Sequence, residues 1–323
     1  MDRLNKNYGK VLIIDYVHPV LKEKLGNFGF ECKETVDITY KELVSEIKGC
    51  VGLIIRSRFR LEKDFFDEAK DLVFVGRVGS GLENIDVEYA GTLGIKCINS
   101  PEGNRDAVGE HALGLLLALM NKICLADSEI RQGKWLREKN RGYEIMGRTV
   151  GIIGYGNTGS AFAQKLSGFE AEIIAYDKYK SGFQNKFVEE VTLEDVFNRA
   201  DIVSMHVPLK EETTYMVNEE FIGKFKKPVY LINTSRGKVV DTNSLVAGIK
   251  SNKIIGAALD VIEYESYSFE KLKPEKRPEA LNFLLKSDRV VLSPHVAGVT
   301  FEALYKLANV LYEKIEAMWL KNC

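Results

Sequence analysis

Short apolar runs, each bounded by polar or glycine-containing segments, recur from one end of the chain to the other. A first series is Val11-Leu12-Ile13-Ile14-Asp15-Tyr16, Gly52–Arg56, Val73–Arg77 and Ile95–Asn99. A second is Val150–Ile153, Ile173–Tyr176, Ile202–Val207, Val229–Thr234, Ile255–Val261 and Val290–Pro294. Runs that are apolar throughout, without alternation, suit parallel strands covered on both faces. Between them the pattern turns helical, as in Tyr40–Lys48, Lys63–Ala69 and Ser160–Leu166. Asp106–Asn121 reads as a long, largely apolar helix, and Phe301–Trp319 carries one apolar face through Leu304, Leu307, Val310, Leu311, Ile315 and Met318. This order predicts an α/β chain with two doubly wound parallel-sheet domains, the second inserted into a discontinuous first. The expected domains are residues 1–100 plus 296–323, and residues 101–295.

Composition narrows the class. The chain has 323 residues, enough for two domains of ordinary size, and 45% hydrophobic with 28% charged residues is the balance of a globular protein. A formal net charge of −1 gives no general attraction to nucleic acid or to an anionic membrane. The longest apolar run, Leu113–Met120, is too short to span a bilayer. The polar start Met1–Lys6 runs into a strand, so no signal peptide and a cytoplasmic location are expected. The five cysteines are scattered, odd in number and without C-x-x-C spacing, which favours reduced thiols over metal ligands or disulfides.

One loop carries specific chemistry. Gly154, Gly156 and Gly159 fall at the G-x-G-x-x-G positions between the strand ending at Ile153 and the helix opening at Ser160. The first glycine permits the turn, the second lets backbone approach a pyrophosphate, and the third lets helix and strand pack closely. The helix N-terminus adds N–H groups and a positive dipole end. Asp177 closes the next apolar run at 177 − 159 = 18 residues beyond the last glycine, where an acid would meet a ribose 2′-hydroxyl. A carboxylate there repels a 2′-phosphate, so NAD is expected over NADP. Lys178 and Lys180 beside it leave an opening for NADP.

Three later strand ends offer partners for such a cofactor, since ligands of open α/β sheets bind at the carboxyl ends of strands. Asn233-Thr234-Ser235-Arg236-Gly237 projects an arginine, whose planar fork suits a carboxylate, although an arginine before glycine is also an ordinary turn residue. Asp260-Val261-Ile262-Glu263-Tyr264-Glu265 carries three carboxylates. Ser293-Pro294-His295 places one of only four histidines where a strand leaves the sheet. A lone histidine is more often structural than catalytic, but imidazole beside a carboxylate is suited to proton transfer near neutral pH.

These motifs together resemble the D-isomer-specific 2-hydroxyacid dehydrogenase family over nearly the full length. The likeness also includes Gly76–Asp86, Asn99–Asn104 and His206-Val207-Pro208-Leu209. The resemblance implies two domains, Rossmann-like and flavodoxin-like, with NAD as cofactor and no metal. It implies that Arg236 binds the substrate carboxylate, that His295 exchanges a proton with the C2 oxygen, and that Glu265 pairs with the imidazole. It assigns cofactor contacts to Gly154, Tyr155, Gly156, Asn157, Thr158, Gly159, Asp177, His206, Val207, Pro208, Thr213, Thr234, Ser235 and Asp260, the last orienting the nicotinamide carboxamide. His206 can equally be a packed strand-end residue. Substrate contacts fall to Arg56, Val78, Gly79, Ser80 and Asn104 with Arg236. A homodimer through the apolar helix near Leu113–Met120 and the following arm with Trp135 is also implied.

Two departures from the family pattern stand out. The gap from Glu265 to His295 is long, 295 − 265 = 30 residues, and its segment Ser266–Asp288 is expected to be a surface loop or a flap. Ser266 replaces the usual proline after the glutamate, which leaves Glu263 as an alternative partner for His295. The chain ends soon after its last helix, so no C-terminal regulatory domain is expected. Arg56, Arg58, Arg60 and Arg77 suggest a cationic wall suited to a phosphate, hence 3-phosphoglycerate/3-phosphohydroxypyruvate and a place in serine biosynthesis. The alternatives are a glyoxylate/hydroxypyruvate reductase or another D-2-hydroxyacid dehydrogenase, and, in a different class, an NAD-sensing corepressor on the same fold.

Overall fold

A computed structural model of the protein describes residues 7–265 and 277–321. The chain divides into one unit made of residues 1–104 and 299–323 and a second made of residues 105–298. In the first unit β1 (Lys10–Ile13), α1 (Val20–Phe28), β2 (Glu31–Glu34), α2 (Tyr40–Glu46), β3 (Cys50–Ile55), α3 (Lys63–Glu68), β4 (Phe74–Arg77), α4 (Val87–Thr92) and β5 (Lys96–Asn99) alternate. The strands pair in parallel in the order β2-β1-β3-β4-β5, the flavodoxin-like winding. The polar strand β2, Glu31-Cys32-Lys33-Glu34, has no apolar run to announce it. It forms by pairing with β1 at the sheet edge, where charged side chains also discourage further strand addition.

The second unit opens with α5 (Arg105–Met120) and α6 (Ile123–Arg131) and continues through β6 (Thr149–Ile153), α7 (Asn157–Leu166), β7 (Glu172–Tyr176), β8 (Glu189–Glu190), α8 (Leu193–Arg199), β9 (Ile202–Met205), α9 (Glu219–Lys224), β10 (Val229–Asn233), α10 (Thr242–Lys250), β11 (Ile254–Leu259), α11 (Glu279–Lys286) and β12 (Val290–Leu292). Its sheet order, β12-β11-β10-β9-β6-β7-β8, is that of a Rossmann domain, with its switch between β6 and β9. Every residue of β6 and β10 is buried, as their apolar runs require. Thr39 with Glu42 and Thr192 with Asp195 form capping boxes that start α2 and α8. Helix α11 falls inside the segment read from sequence as a loop or flap, burying Ala280, Leu281 and Leu284. The rest of that segment, 266–276, lies outside the described residues.

Helix α12 (Phe301–Lys321) returns to the first unit and lays Leu307, Ala308, Leu311 and Ile315 against Val11, Ile13, Leu21, Leu25 and Phe74. Trp319 closes this core edge-on to Phe30, with ring centroids 4.8 Å apart. The boundaries between units differ from the expected 100/101 and 295/296 for reasons visible in the contacts. Ser80 donates to Asn104 across 2.7 Å and Gly103 packs on the α12 backbone, which keeps residues 101–104 in the first unit. Asp260 accepts from the N–H groups of Val296 and Ala297, which keeps residues 296–298 in the second.

Gly103 leaves a measurable signature. A Cβ there would sit 2.5 Å from the Leu307 nitrogen, and backbone cannot swing away as a side chain does. Gly103→Ala is expected to lower stability by about 1–3 kcal/mol, the usual range for overpacking. Urea unfolding would read the loss, and an unchanged midpoint would show that α12 is not held there.

Candidate active site

The parallel register of the second sheet aligns five strand ends. Ile153 pairs with Met205, Met205 with Asn233, Asn233 with Leu259 and Leu259 with Leu292. One residue past this row stand Gly154, His206, Thr234, Asp260 and Ser293, and three past it stand Gly156, Pro208, Arg236, Ile262 and His295. Almost every candidate that the sequence offered in this unit therefore lies along one carboxyl edge. Asp177, one residue beyond β7, extends the same edge.

The glycine loop has the shape its three glycines demand. Gly154 has φ +93°, and a Cβ on it would lie 2.6 Å from the His206 carbonyl oxygen. A Cβ on Gly159 would lie 2.1 Å from the Gly154 oxygen, so only glycine fits that crossing. Gly156 instead faces open space and caps α7 without a side-chain hydrogen bond. The Asp177 carboxylate receives N–H groups from Tyr155 at 2.8 Å, Tyr179 at 2.9 Å and Lys180 at 3.0 Å, which fixes it beside the loop.

His206 is packed beneath this loop. Its ring touches Ser204 Oγ through Nε2 at 2.8 Å and Thr158 Oγ1 through Nδ1 at 3.2 Å, tying the first turn of α7 to β9. Burial pushes its pKa down to about 3, so the ring is neutral. Thr213 is likewise buried, donating to the Pro208 carbonyl at 2.6 Å and accepting from Lys210 N–H at 2.8 Å. It shapes the turn that follows Val207 and Pro208.

Arg236 is delivered by a turn that Asn233 stitches together. The Asn233 amide oxygen accepts from Ser235 N–H and from Ser235 Oγ, while its nitrogen donates to the Arg236 carbonyl at 3.0 Å. A Cβ on Gly237 would lie 2.0 Å from the Ile262 oxygen, so this turn packs directly on the segment leading to Glu265. Glu265 Oε1 accepts from Ile262 N–H, and Oε2 meets His295 Nδ1 at 2.7 Å. Glu263, the alternative partner, instead accepts from the Thr242 N–H at 3.1 Å. An ionised carboxylate only accepts, so His295 Nδ1 carries the hydrogen of this pair.

Asp260 is held deep at this edge. Its carboxylate is 1% exposed and turned into the protein, accepting from Ser293 Oγ at 2.6 Å, Val296 N–H at 2.9 Å and Ala297 N–H at 2.8 Å. Burial alone would raise its pKa; His111, Ser293 and the two N–H groups outweigh that and hold it down to about 2. Two residues here escaped the sequence reading. Ser293 was quoted beside His295 without a role, and His111, whose Nε2 lies 2.9 Å from Ser293 Oγ, was signalled only by being polar in a largely apolar helix.

In the first unit the sheet edge carries Arg56 after β3 and Val78, Gly79 and Ser80 after β4. Arg77 Nε donates to the Arg56 carbonyl at 3.3 Å, and Asn99 donates to the Ser80 carbonyl at 2.6 Å. Other members of the expected arginine wall have protein partners too. Arg58 donates to the carbonyls of Val36 and Ile14, and Arg60 pairs with Glu62 at 3.5 Å, so both are drawn to protein partners.

The profile of the D-isomer specific 2-hydroxyacid dehydrogenase NAD-binding domain matches residues 113–297. The chain belongs to that family. It is 36% identical over 288 residues to a hydroxypyruvate reductase of Thermotoga maritima, covering 88% of this chain and 91% of the relative. It is 32% identical over 311 residues to a D-3-phosphoglycerate dehydrogenase of Archaeoglobus fulgidus, covering 96% of this chain but only 57% of that longer protein. A D-2-hydroxyisocaproate dehydrogenase structure superposes with a TM-score of 0.84 at 26% identity, over 97% of this chain and 98% of that one.

The second unit is thus an NAD-binding domain, and its residues fit the cofactor. The first turn of α7 offers N–H groups without a side-chain cap beside an unobstructed Gly156, as a pyrophosphate needs. Thr234 Oγ1 is buried without a hydrogen-bond partner, an orphan that a bound polar group would satisfy. Cys32 and Cys97 are pushed up to about 11, in each case chiefly by burial, which keeps them as inert thiols.

The neutral His206 makes stability pH-dependent with a definite sign. Its folded pKa of about 3 lies below the ordinary 6.5, so between those values the unfolded chain takes up a proton that the fold refuses. Stability therefore falls as pH drops from 6.5 towards 3. The Asp260 contribution is full above 3.8 and fades only as pH falls towards 2. His206→Gln is expected to flatten the decline between pH 6.5 and about 4 in urea titrations. A slope equal to the parent's would contradict the buried neutral ring.

Proposed function

We propose that this chain is an NAD-dependent D-2-hydroxyacid dehydrogenase. The observation that carries the reading is the 2.7 Å pair between His295 Nδ1 and Glu265 Oε2 at the carboxyl edge of an NAD-binding sheet. NADH, when bound, supplies a hydride to the carbonyl carbon of a 2-keto acid. His295, as the cation, gives its Nε2 proton to the C2 oxygen, and in oxidation the neutral ring takes that proton back. Glu265 fixes the orientation and tautomer of the imidazole. Arg236 pairs with the substrate carboxylate and draws electron density from the C2 oxygen. Val78, Gly79, Ser80, Asn104 and Arg56 are proposed to hold the carboxylate end as well. No step in this scheme calls for a metal.

For the substrate we propose 3-phosphohydroxypyruvate/3-phosphoglycerate, on the strength of Arg56 and Arg77 at one strand edge. Hydroxypyruvate or glyoxylate is the second reading. It is favoured by the loss of Arg58 and Arg60 to protein partners and by the nearly full-length relation to a hydroxypyruvate reductase. NADH oxidation over a panel of 3-phosphohydroxypyruvate, hydroxypyruvate, glyoxylate and pyruvate decides between them. Arg236→Ala and His295→Ala are expected to lower kcat/KM on the best substrate by at least about a thousandfold while NADH affinity holds. Near-parental turnover in either variant, or no turnover of any panel member by the parent, would end the proposal.

Among the described residues no single helix is long and apolar enough to cross a membrane, and we propose a cytoplasmic enzyme. The bent pair α5 and α6 passes that test only jointly, across a 61° bend, and α5 is a core helix. We further propose a homodimer through the helix near Leu113–Met120 and the chain that follows it, α6 and the arm with Trp135, along which Ile123, Ile130, Trp135, Leu136, Tyr143 and Met146 are exposed. Sedimentation should give twice the chain mass, and Trp135→Glu should yield monomer. A monomeric parent would refute that arrangement.

A further inference from the structure

The segment that carries His295 is under unusual backbone control. His295 has φ +55°, in the left-handed region that residues other than glycine seldom adopt. Three successive N–H groups there bind a single residue. Those of Val296 and Ala297 go to the Asp260 carboxylate, and that of His295 goes to the Asp260 carbonyl at 2.8 Å. The orientation of the imidazole thus follows the orientation of Asp260.

What orients Asp260 in turn is a side-chain chain reaching from α5. An ionised carboxylate accepts only, so Ser293 Oγ must donate its one hydrogen to Asp260 Oδ1 across 2.6 Å. The hydroxyl can then only accept from His111, whose Nε2 lies 2.9 Å away and 3.4 Å from Asp260 Oδ1. His111 Nε2 therefore carries a hydrogen, and its ring anchors a relay that ends on the loop flanking His295. His111 itself rises from the polar first half of α5, next to Glu110, and is about a quarter exposed, at 28%.

We propose that His111 is a positioning residue for His295, acting through the Ser293 hydroxyl and the Asp260 carboxylate. The proposal rests on the dehydrogenase reading for its kinetic arm, though not for its structural one. Loss of the donor lets Ser293 turn and loosens the grip on residues 295–297, so the proton donor spends less time aligned. An error in aim of this kind acts on turnover more than on binding.

The test compares the full-length parent with His111→Ala, His111→Gln, Ser293→Ala and the His111→Ala/Ser293→Ala double variant. On the best keto acid of the panel, His111→Ala and Ser293→Ala should each lower kcat about tenfold, with KM and the NADH dissociation constant within about twofold. The double variant should be no worse than about twofold below the weaker single one, since both cut the same chain. His111→Gln, which still offers an N–H, should recover most of the loss. Hydrogen–deuterium exchange should speed up at the Val296 and Ala297 amides in His111→Ala but not in His111→Gln. Parental kcat in His111→Ala, additive losses, or glutamine no better than alanine would overturn the proposal. If the parent reduces no keto acid, the dehydrogenase reading fails and exchange alone decides. Equal exchange at both amides in all three proteins then overturns the positioning role.

Discussion

The site depends on one constraint, the side-by-side register of Ile153, Met205, Asn233, Leu259 and Leu292 across five parallel strands. Neighbouring strands stand about 4.8 Å apart, so β10 and β12, which deliver Arg236 and His295, are separated by about 10 Å at the row. Each loop then begins from a fixed point, and short local hydrogen bonds do the rest. Asn233 shapes the Arg236 turn, Asp260 the His295 segment, and Asp177 the glycine loop. A slip of one residue in any central strand would turn its buried side chains to the opposite face and move its loop out of line.

The strands that build this edge were legible because burial on both faces demands unbroken apolar runs. Elements whose stability comes from partners were not. Strand β2, Glu31-Cys32-Lys33-Glu34, and the two-residue β8, Glu189-Glu190, exist only through pairing at an edge. Helix α1 has nine residues and buries only Leu21 and Leu25, too little periodicity to stand out beside the longer helices. The glycine positions were readable because the backbone path permits nothing else. The partnership of His295 with Glu265 came from the resemblance; the residues alone left Glu263 open, since two carboxylates two residues apart look alike until α10 claims one of them. The relay through His111 was hidden for a related reason. It joins residues 111, 260 and 293, which nothing in the order of the chain connects.

Three histidines of the second unit show how surroundings assign chemistry to one side chain. His206 has no carboxylate beside it and is buried, so it stays neutral and serves as a brace between Thr158 and Ser204. His295 has a carboxylate on Nδ1, which fixes its ring and its tautomer. His111 donates to a hydroxyl that is itself committed to a carboxylate.

The left-handed backbone at His295 has an evolutionary consequence. A β-branched residue at that position would be strained whatever its chemistry, although the unbranched Lys122, Glu170 and Tyr215 take the same left-handed φ elsewhere in the chain. None of these relays a proton as imidazole does near neutrality. A descendant with an unbranched residue in place of His295 would therefore lose the imidazole and keep the backbone path around it.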